Sequence, residues 1–278
     1  MLALIDQIKN STQLRWNRVH KFQVKVKLNI ELGSYTIQTA ETPEQLIESF
    51  KLRHEVFNNE FRGLDGNGLD FDKFDYYFDH LIIIHRPTDK IIGTYRLNCS
   101  TNSKESYTAH EFDLSSLLTQ EGPILELGRA CIHKDFRKGS VISLLWRGIA
   151  EYMNLCNAKV LFGCSSLKVT STREAALIYR YLFENGQVPS VSLSQPTKKY
   201  AMSDFKGWND YFSKGLNEAQ SKEAGDLIPS LLKSYLKLGV KIVSVPAFDE
   251  EFECIDLLTV LRKEDLGQAL VQRFQLVR

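Results

Sequence analysis

Residues 124–132 read Ile-Leu-Glu-Leu-Gly-Arg-Ala-Cys-Ile, residues 139–153 Gly-Ser-Val-Ile-Ser-Leu-Leu-Trp-Arg-Gly-Ile-Ala-Glu-Tyr-Met, and residues 159–165 Lys-Val-Leu-Phe-Gly-Cys-Ser. The first and third are apolar runs of strand length. The second places Ile142, Leu145, Trp146 and Ile149 on one helical stripe. Strand, helix and strand in succession require a parallel pairing, because a crossover helix separates the two strands. Upstream, Pro87-Thr88-Asp89-Lys90 joins strands at 80–86 and 91–98 into an antiparallel hairpin. Before it, Thr42-Pro43-Glu44-Gln45 starts a helix that runs to about Phe61, with the Thr42 oxygen capping Gln45 and proline at the first helical position. Downstream come a helix at 172–185, a helix near 227–238, a strand at 240–246, a turn through Phe248-Asp249-Glu250 and a strand at 254–261. The reading is an α/β (α+β) fold with a mixed, mostly antiparallel sheet and flanking helices.

At the N-terminal side, Phe22, Val24, Val26, Leu28 and Ile30 alternate with Lys21, Gln23, Lys25, Lys27 and Asn29, which predicts a half-buried strand with one basic face. Residues 2–18 read as a short amphipathic helix, packed on the body or lying at a lipid surface. With no repeats or low-complexity linker, residues 1–278 are expected to form a single domain, with an extension at 1–34 and an insertion at about 166–225.

Of the 278 residues, 43% are hydrophobic and 25% charged, and the formal net charge is +1. That balance offers no bulk attraction to nucleic acid. Five cysteines without regular spacing argue against a disulfide framework and fit a reducing cytoplasm. No signal peptide or membrane span is expected. The acids after the first helix, Asp65, Asp70, Asp72, Asp75 and Asp79, hint at a calcium loop around Asp65–Asn67. Leu69 and Tyr76 stand where oxygen ligands are needed, so no metal is expected.

Several motifs stand in register. They are Leu52-Arg53-His54-Glu55-Val56-Phe57, Asp72-Lys73-Phe74-Asp75 with Asp79-His80-Leu81, Gly93-Thr94-Tyr95-Arg96-Leu97, and Glu126-Leu127-Gly128-Arg129-Ala130-Cys131. Leu144-Leu145-Trp146-Arg147-Gly148-Ile149-Ala150, Phe162-Gly163-Cys164-Ser165-Ser166 and a closing block from Leu238-Gly239 through Asp249, Phe252 and Asp256 complete the series. The element order resembles the GNAT N-acyltransferase fold, and the first four motifs resemble those of acyl-homoserine-lactone synthases. The fuller series resembles the bacterial ornithine and amino-acid N-acyltransferases that make lyso-ornithine lipid. It spans roughly 50–260, and the insertion and closing block resemble those lipid enzymes only.

The resemblance implies splayed central strands, here 124–132 and 159–165, with the thioester arm filling the gap. It implies transfer of a long acyl group, 3-hydroxylated, to the α-amine of an amino acid, ornithine first and glycine second. Glu126 is the candidate base that takes the amine's proton, and its structural alternative is a partner for Arg129 or Arg53. Three residues apart on a regular strand, Glu126 and Arg129 face opposite ways, so a bulge is needed to join them. A backbone amide freed near Cys131 or Ile132 would hold the oxyanion. Tyr235, four before Gly239, is the candidate acid for the leaving thiolate, with a core tyrosine as its alternative and Tyr179 and Tyr181 as rivals.

Arg137, Gly139 and Ser140 open the next helix, where bare amides bind phosphate. Only one glycine remains of the two spaced ones usual in that loop, which points away from the pyrophosphate of coenzyme A and toward acyl carrier protein. The basic residues near Lys25 and Lys198 suit that acidic partner. Gly163 and Cys164 would border the acyl donor. Arg53, Phe57, Asp72, Asp75 and Arg96 would surround the acceptor: acids suit an ammonium and arginine suits a carboxylate. A salt-bridge cluster among themselves is the alternative. Cys131 and Cys164 are also considered as acyl-enzyme nucleophiles, although neither has an evident histidine partner. No bound cofactor is expected, since the acyl thioester is a co-substrate.

Overall fold

The computed structural model describes residues 19–137 and 141–265, which fall into two compact units. The helix expected at 2–18 and the loop residues Gly139 and Ser140 lie outside the described residues. The strands form a mixed sheet, mostly antiparallel, flanked by helices.

The first unit takes the described residues of 19–105 and 128–156. It contains β1 (Asn29–Leu32), β2 (Tyr35–Thr39), α1 (Pro43–His54), β3 (Asp79–His85), β4 (Lys90–Cys99) and α3 (Val141–Leu155). β1 to β4 pair antiparallel in chain order. Thr42 caps α1 as expected: its Oγ1 accepts from the Gln45 amide, and Gln45 Oε1 accepts from the Glu41 amide. The helix does not run unbroken to Phe61. Residues Glu55–Phe61 form a π-helical turn instead, a feature frequent at functional sites. α3 packs closely on β2 and β3, since a Cβ on Gly148 would lie 2.8 Å from Ile37 and Leu81 side-chain atoms.

The strand expected at 22–30 is present only as β1, although Phe22, Val24, Val26 and Leu28 keep their alternating burial. Side chains supply the bonds a ladder would have made. The amides of Lys25 and Val26 each donate to the Asp79 carboxylate at 2.8 Å, and the Leu28 amide donates to Thr39 Oγ1. β2 lies where no strand was expected.

The second unit takes the described residues 106–127 and 157–265. It holds the short helix α2 (Ser115–Leu118), β6 (Val160–Leu167), α4 (Thr172–Glu184), α5 (Phe205–Phe212), α6 (Glu218–Leu227) and α7 (Ser230–Leu236). β7 (Lys241–Ile242), β8 (Ala247–Asp249) and β9 (Cys254–Arg262) complete it. β5 (Ile124–Ile132) starts here and ends in the first unit. β6 pairs antiparallel with β9, and β9 carries both β7 and β8. The strand expected over 240–246 is realised only as β7, and β8 lies where the turn through Phe248-Asp249-Glu250 was expected. Phe112, Ile124, Val160, Phe162, Leu258 and Val260 pack as one core. Residues 166–225 are more regular than expected, with Ala176, Leu177, Phe205, Phe212 and Ala224 of α4, α5 and α6 forming a second core.

Candidate active site

The parallel pairing of β5 with β6 covers only Ile124–Glu126 against Val160–Phe162. It stops where Gly163 meets Leu127: a Cβ at 163 would collide with the Leu127 carbonyl oxygen, so only glycine fits. Glu126 ends this short ladder and is 4% exposed. Its Oε1 accepts from the Thr108 amide at 2.6 Å and the Thr108 hydroxyl at 2.7 Å. Two donors to one oxygen fix the carboxylate's orientation. No sequence signal marked Thr108, because a threonine in a polar loop has no pattern of its own.

Arg129 has φ 51°, a left-handed conformation that costs a non-glycine residue on the order of 1–3 kcal/mol and is found disproportionately at functional sites. The regular alternation of β5 is therefore broken at the position where a bulge was expected. Beyond it, Cys131 is buried, which pushes its thiol far up, and the Ile132 carbonyl accepts from Arg137 Nε at 2.9 Å. Arg137 also reaches the π-helical turn, pairing with Glu60 at 2.7 Å.

In the first unit Arg53, Asp70, Asp72, Asp75, Arg96 and Arg129 form one network. Arg53, 1% exposed, holds Asp75 at 2.7 Å and Asp70 at 2.6 Å. Arg96 bridges Asp72 at 2.8 Å and Asp75 at 3.1 Å, and Arg129 reaches Asp72 at 3.3 Å. Aromatic rings cover the guanidinium planes: Phe50 under Arg53, Phe74 and Phe78 about Arg96, and Phe57 of the π-helical turn 5.9 Å from Arg129. Burial alone would raise the Asp75 carboxyl, but Arg53, Arg96 and His80 hold it far below the usual range. Burial lowers His80 to about 4, with Arg53 assisting against Asp75, so it is neutral at pH 7. The structure thus joins the five predicted acceptor residues in one place, with acids and arginines bonded to each other. Asp79 lies apart. It takes the Lys25 and Val26 amides and the Tyr152 hydroxyl, and its carboxyl is raised by burial against those bonds.

Cys164 of β6 is raised well above the usual thiol range by burial, then by Glu111 and Asp256. A thiol so held is a poor nucleophile. All five cysteines are free. Tyr235 lies on α7, 9% exposed, and Tyr179 packs edge-on against Phe205.

A set of acids that sequence reading did not assemble lies in the second unit: Glu111, Asp249 and Asp256, all buried, with a ligand oxygen from each within 4.8 Å of the others. Burial, then Asp256 and Asp249, pushes Glu111 up to about 9; burial, with Asp249 adding, pushes Asp256 up to about 6 against the Ser166 hydrogen bond.

Residues 52–147 match the family model described as an acetyltransferase (GNAT) domain. The chain is 27% identical over 249 residues to an L-ornithine N(alpha)-acyltransferase of Rhodobacter capsulatus, covering 84% of this chain and 92% of that one. It is 26% identical over 260 residues to a protein of the same name from Brucella abortus, covering 87% and 89%. Among solved structures, FeeM, an N-acyl amino acid synthase from uncultured soil microbes, superposes with a TM-score of 0.50 at 8% identity, covering 86% of this chain and 98% of that one, a likeness of fold. The chain is an N-acyltransferase of the GNAT fold.

Proposed function

We propose that this acyltransferase moves a long, 3-hydroxylated fatty acyl group from acyl carrier protein to the α-amine of ornithine, the first step toward an ornithine lipid. The observation that carries the reading is the Thr108-fixed carboxylate of Glu126 at the point where the β5–β6 ladder ends. The relatives named for ornithine acylation supply the acceptor.

In this reading the amine nitrogen attacks the thioester carbonyl carbon, lying against the β6 edge that pairing leaves open after Phe162. The new bond is C–N and the broken one is C–S. Glu126 takes the amine's proton directly or through water, worth roughly 10²–10⁴-fold. A backbone amide near Cys131 or Ile132 holds the oxyanion, about 3 kcal/mol. Tyr235 returns a proton to the leaving thiolate. The arginine–aspartate network positions Arg129 and Phe57 for the acceptor's carboxylate. Arg137 is already bonded to Glu60 and the Ile132 carbonyl. That favours a donor with a single phosphate over one with a pyrophosphate. Contact with the cytoplasmic face of the membrane, where the product would partition, belongs to the same proposal. No helix among the described residues is long and apolar enough to cross it.

The test incubates purified protein with long-chain 3-hydroxyacyl carrier protein, long-chain acyl-coenzyme A or acetyl-coenzyme A, and ornithine, lysine, glycine or S-adenosylmethionine. Products are read by mass spectrometry. N-acylornithine from the carrier donor, weakened by added salt, is expected. Equal efficiency with coenzyme A, insensitive to salt, would sink the donor assignment. A lactone from S-adenosylmethionine would make the protein a signal synthase.

A further inference from the structure

Glu111, Asp249 and Asp256 are 1%, 3% and 3% exposed. Three carboxylates buried together are costly without a counter-charge. Polar groups offset part of the cost: Ser166 Oγ donates to Asp256 at 2.7 Å, and the Glu251 and Phe252 amides donate to Asp249 Oδ1 at 2.8 and 3.1 Å. No lysine, arginine or histidine among the described residues pairs with any of the three. Glu111 Oε2, fully buried, meets no N–H or O–H donor among the described residues. Glu111 hydrogen-bonds to Asp256 and Cys164 within the cluster, which leaves, among the described residues, three acids with no cation and Glu111 Oε2 with no N–H donor.

β6 gives access to it. Phe162, Cys164 and Ser166 share one face of the strand. Cys164 is half-buried, Ser166 is exposed, and Ser166 lies in register opposite Asp256. Thr108 links the cluster to the candidate base: its Oγ1 is 2.7 Å from Glu126 Oε1 and 3.8 Å from Cys164 Sγ, and Cys164 in turn neighbours Glu111. Glu126, Thr108, Cys164, Glu111 and Asp256 therefore form a continuous line within one unit.

We propose that Glu111, Asp249 and Asp256 bind the side-chain ammonium of a diamino-acid acceptor whose α-amine lies at Glu126, its carbon chain crossing Thr108 and Cys164. The assignment rests on the amino-acid acyltransferase reading above and adds the residues that select the acceptor. An ammonium has three donors and no acceptor, one for each carboxylate. In the free protein a proton on Glu111 takes the place of that cation. Asp72 and Asp75, the sequence's candidates for the same task, are bonded to arginines.

The experiment compares kcat/KM for ornithine with that for norvaline, which has the same carbon chain without the second ammonium. In the wild-type protein ornithine is favoured roughly 10²-fold or more, because norvaline leaves buried acids without their partner. Glu111→Gln and Asp256→Asn each reduce that ratio at least tenfold. Should either variant fail to fold, the wild-type series 2,4-diaminobutyrate, ornithine, lysine replaces it: a fixed ammonium site gives one sharp optimum of chain length. A wild-type ratio near one, a ratio unchanged in folded variants, or a flat chain-length series would overturn the assignment while leaving amino-acid acylation intact. Activity lost to a chelator and restored by magnesium or calcium would give the cluster to a divalent cation instead. Absence of any N-acylated amino acid from any donor would overturn both readings.

Discussion

Replacing Glu111 with glutamine should change how stability depends on pH, and the direction follows from the acid cluster. Burial and the neighbouring Asp256 and Asp249 raise Glu111 from an ordinary 4.5 to about 9. Between those values the unfolded chain has released this proton and the folded chain has kept it. A group raised on folding contributes stability that is complete below its unfolded pKa and lost as pH climbs through its folded pKa. The loss approaches 1.36 kcal/mol per pH unit. From pH 6 to pH 8 that amounts to about 2–3 kcal/mol, a large share of the roughly 5–15 kcal/mol that holds a protein folded. Asp256, raised from 3.8 to about 6, adds to the slope mainly below that range, with its last part at the pH 6 end. Cys99 works the other way: its hydrogen bond with Cys156 lowers it from 9.0 to about 6, so it gains stability over the same interval. The two slopes oppose, so the wild-type curve alone decides nothing. The informative quantity is the difference between wild type and Glu111→Gln, which leaves Cys99 common to both. Urea unfolding at pH 6, 7 and 8 without substrate should show the variant gaining about 2–3 kcal/mol on wild type across the series. Parallel curves would mean that Glu111 is ionised in the folded protein, and that the cluster already holds a cation or is open to water.

Glu126→Gln should lower turnover with saturating substrates at least about tenfold while the fold survives; unchanged turnover would reduce Glu126 to a structural partner of Thr108. Arg53→Ala should cost about 3–5 kcal/mol in urea unfolding, since it leaves Asp75 buried with Arg96 alone. Asp75 is depressed on folding, so its contribution is present above 3.8 and is lost only as pH falls far below that; a transition that weakened already at pH 5 would contradict the pairing. Gly163→Ala should destabilise by about 1–3 kcal/mol, because its methyl meets a backbone oxygen that cannot swing aside; a neutral effect would show that the strands part more freely there than Gly163 and Leu127 imply.

Periodicity and caps foretold the elements that pack by repetition. β5 runs over Ile124–Ile132 as read, and α3, β6, α4 and β9 agree within about two residues. One failure comes from replacement of backbone pairing by side chains. Residues 22–28 alternate like a strand and bury like one, yet Asp79 and Thr39 hold their amides. The π-helical turn after α1 shows a different limit, because nothing in a helical stripe distinguishes one hydrogen-bond register from the next. Of the site, the arginine–aspartate network was legible because its aspartates follow one another in a single loop and its arginines stand in recognisable motifs. Glu111, Asp249 and Asp256 were not legible as a group. Glu111 lies far in the chain from Asp249 and Asp256, and a buried acid looks in sequence like a solvated one.

The two acidic groups differ in one respect that bears on what selects the acceptor. Around Asp70, Asp72 and Asp75 stand Arg53, Arg96 and Arg129, three anions against three cations, each acid bonded to at least one guanidinium. Such a network is neutral as a whole, and a diamino acid entering it would have to displace an arginine that has nowhere else to go. Its use is rigidity, which fixes Phe57 and the strained backbone of Arg129. Glu111, Asp249 and Asp256 have no cation among the described residues, and they border the line that leads through Thr108 to Glu126. Two of these three acids, Asp249 and Asp256, come from the closing block of the chain. On the proposal above, charge balance puts the second ammonium of the acceptor with these three acids and not among the arginines.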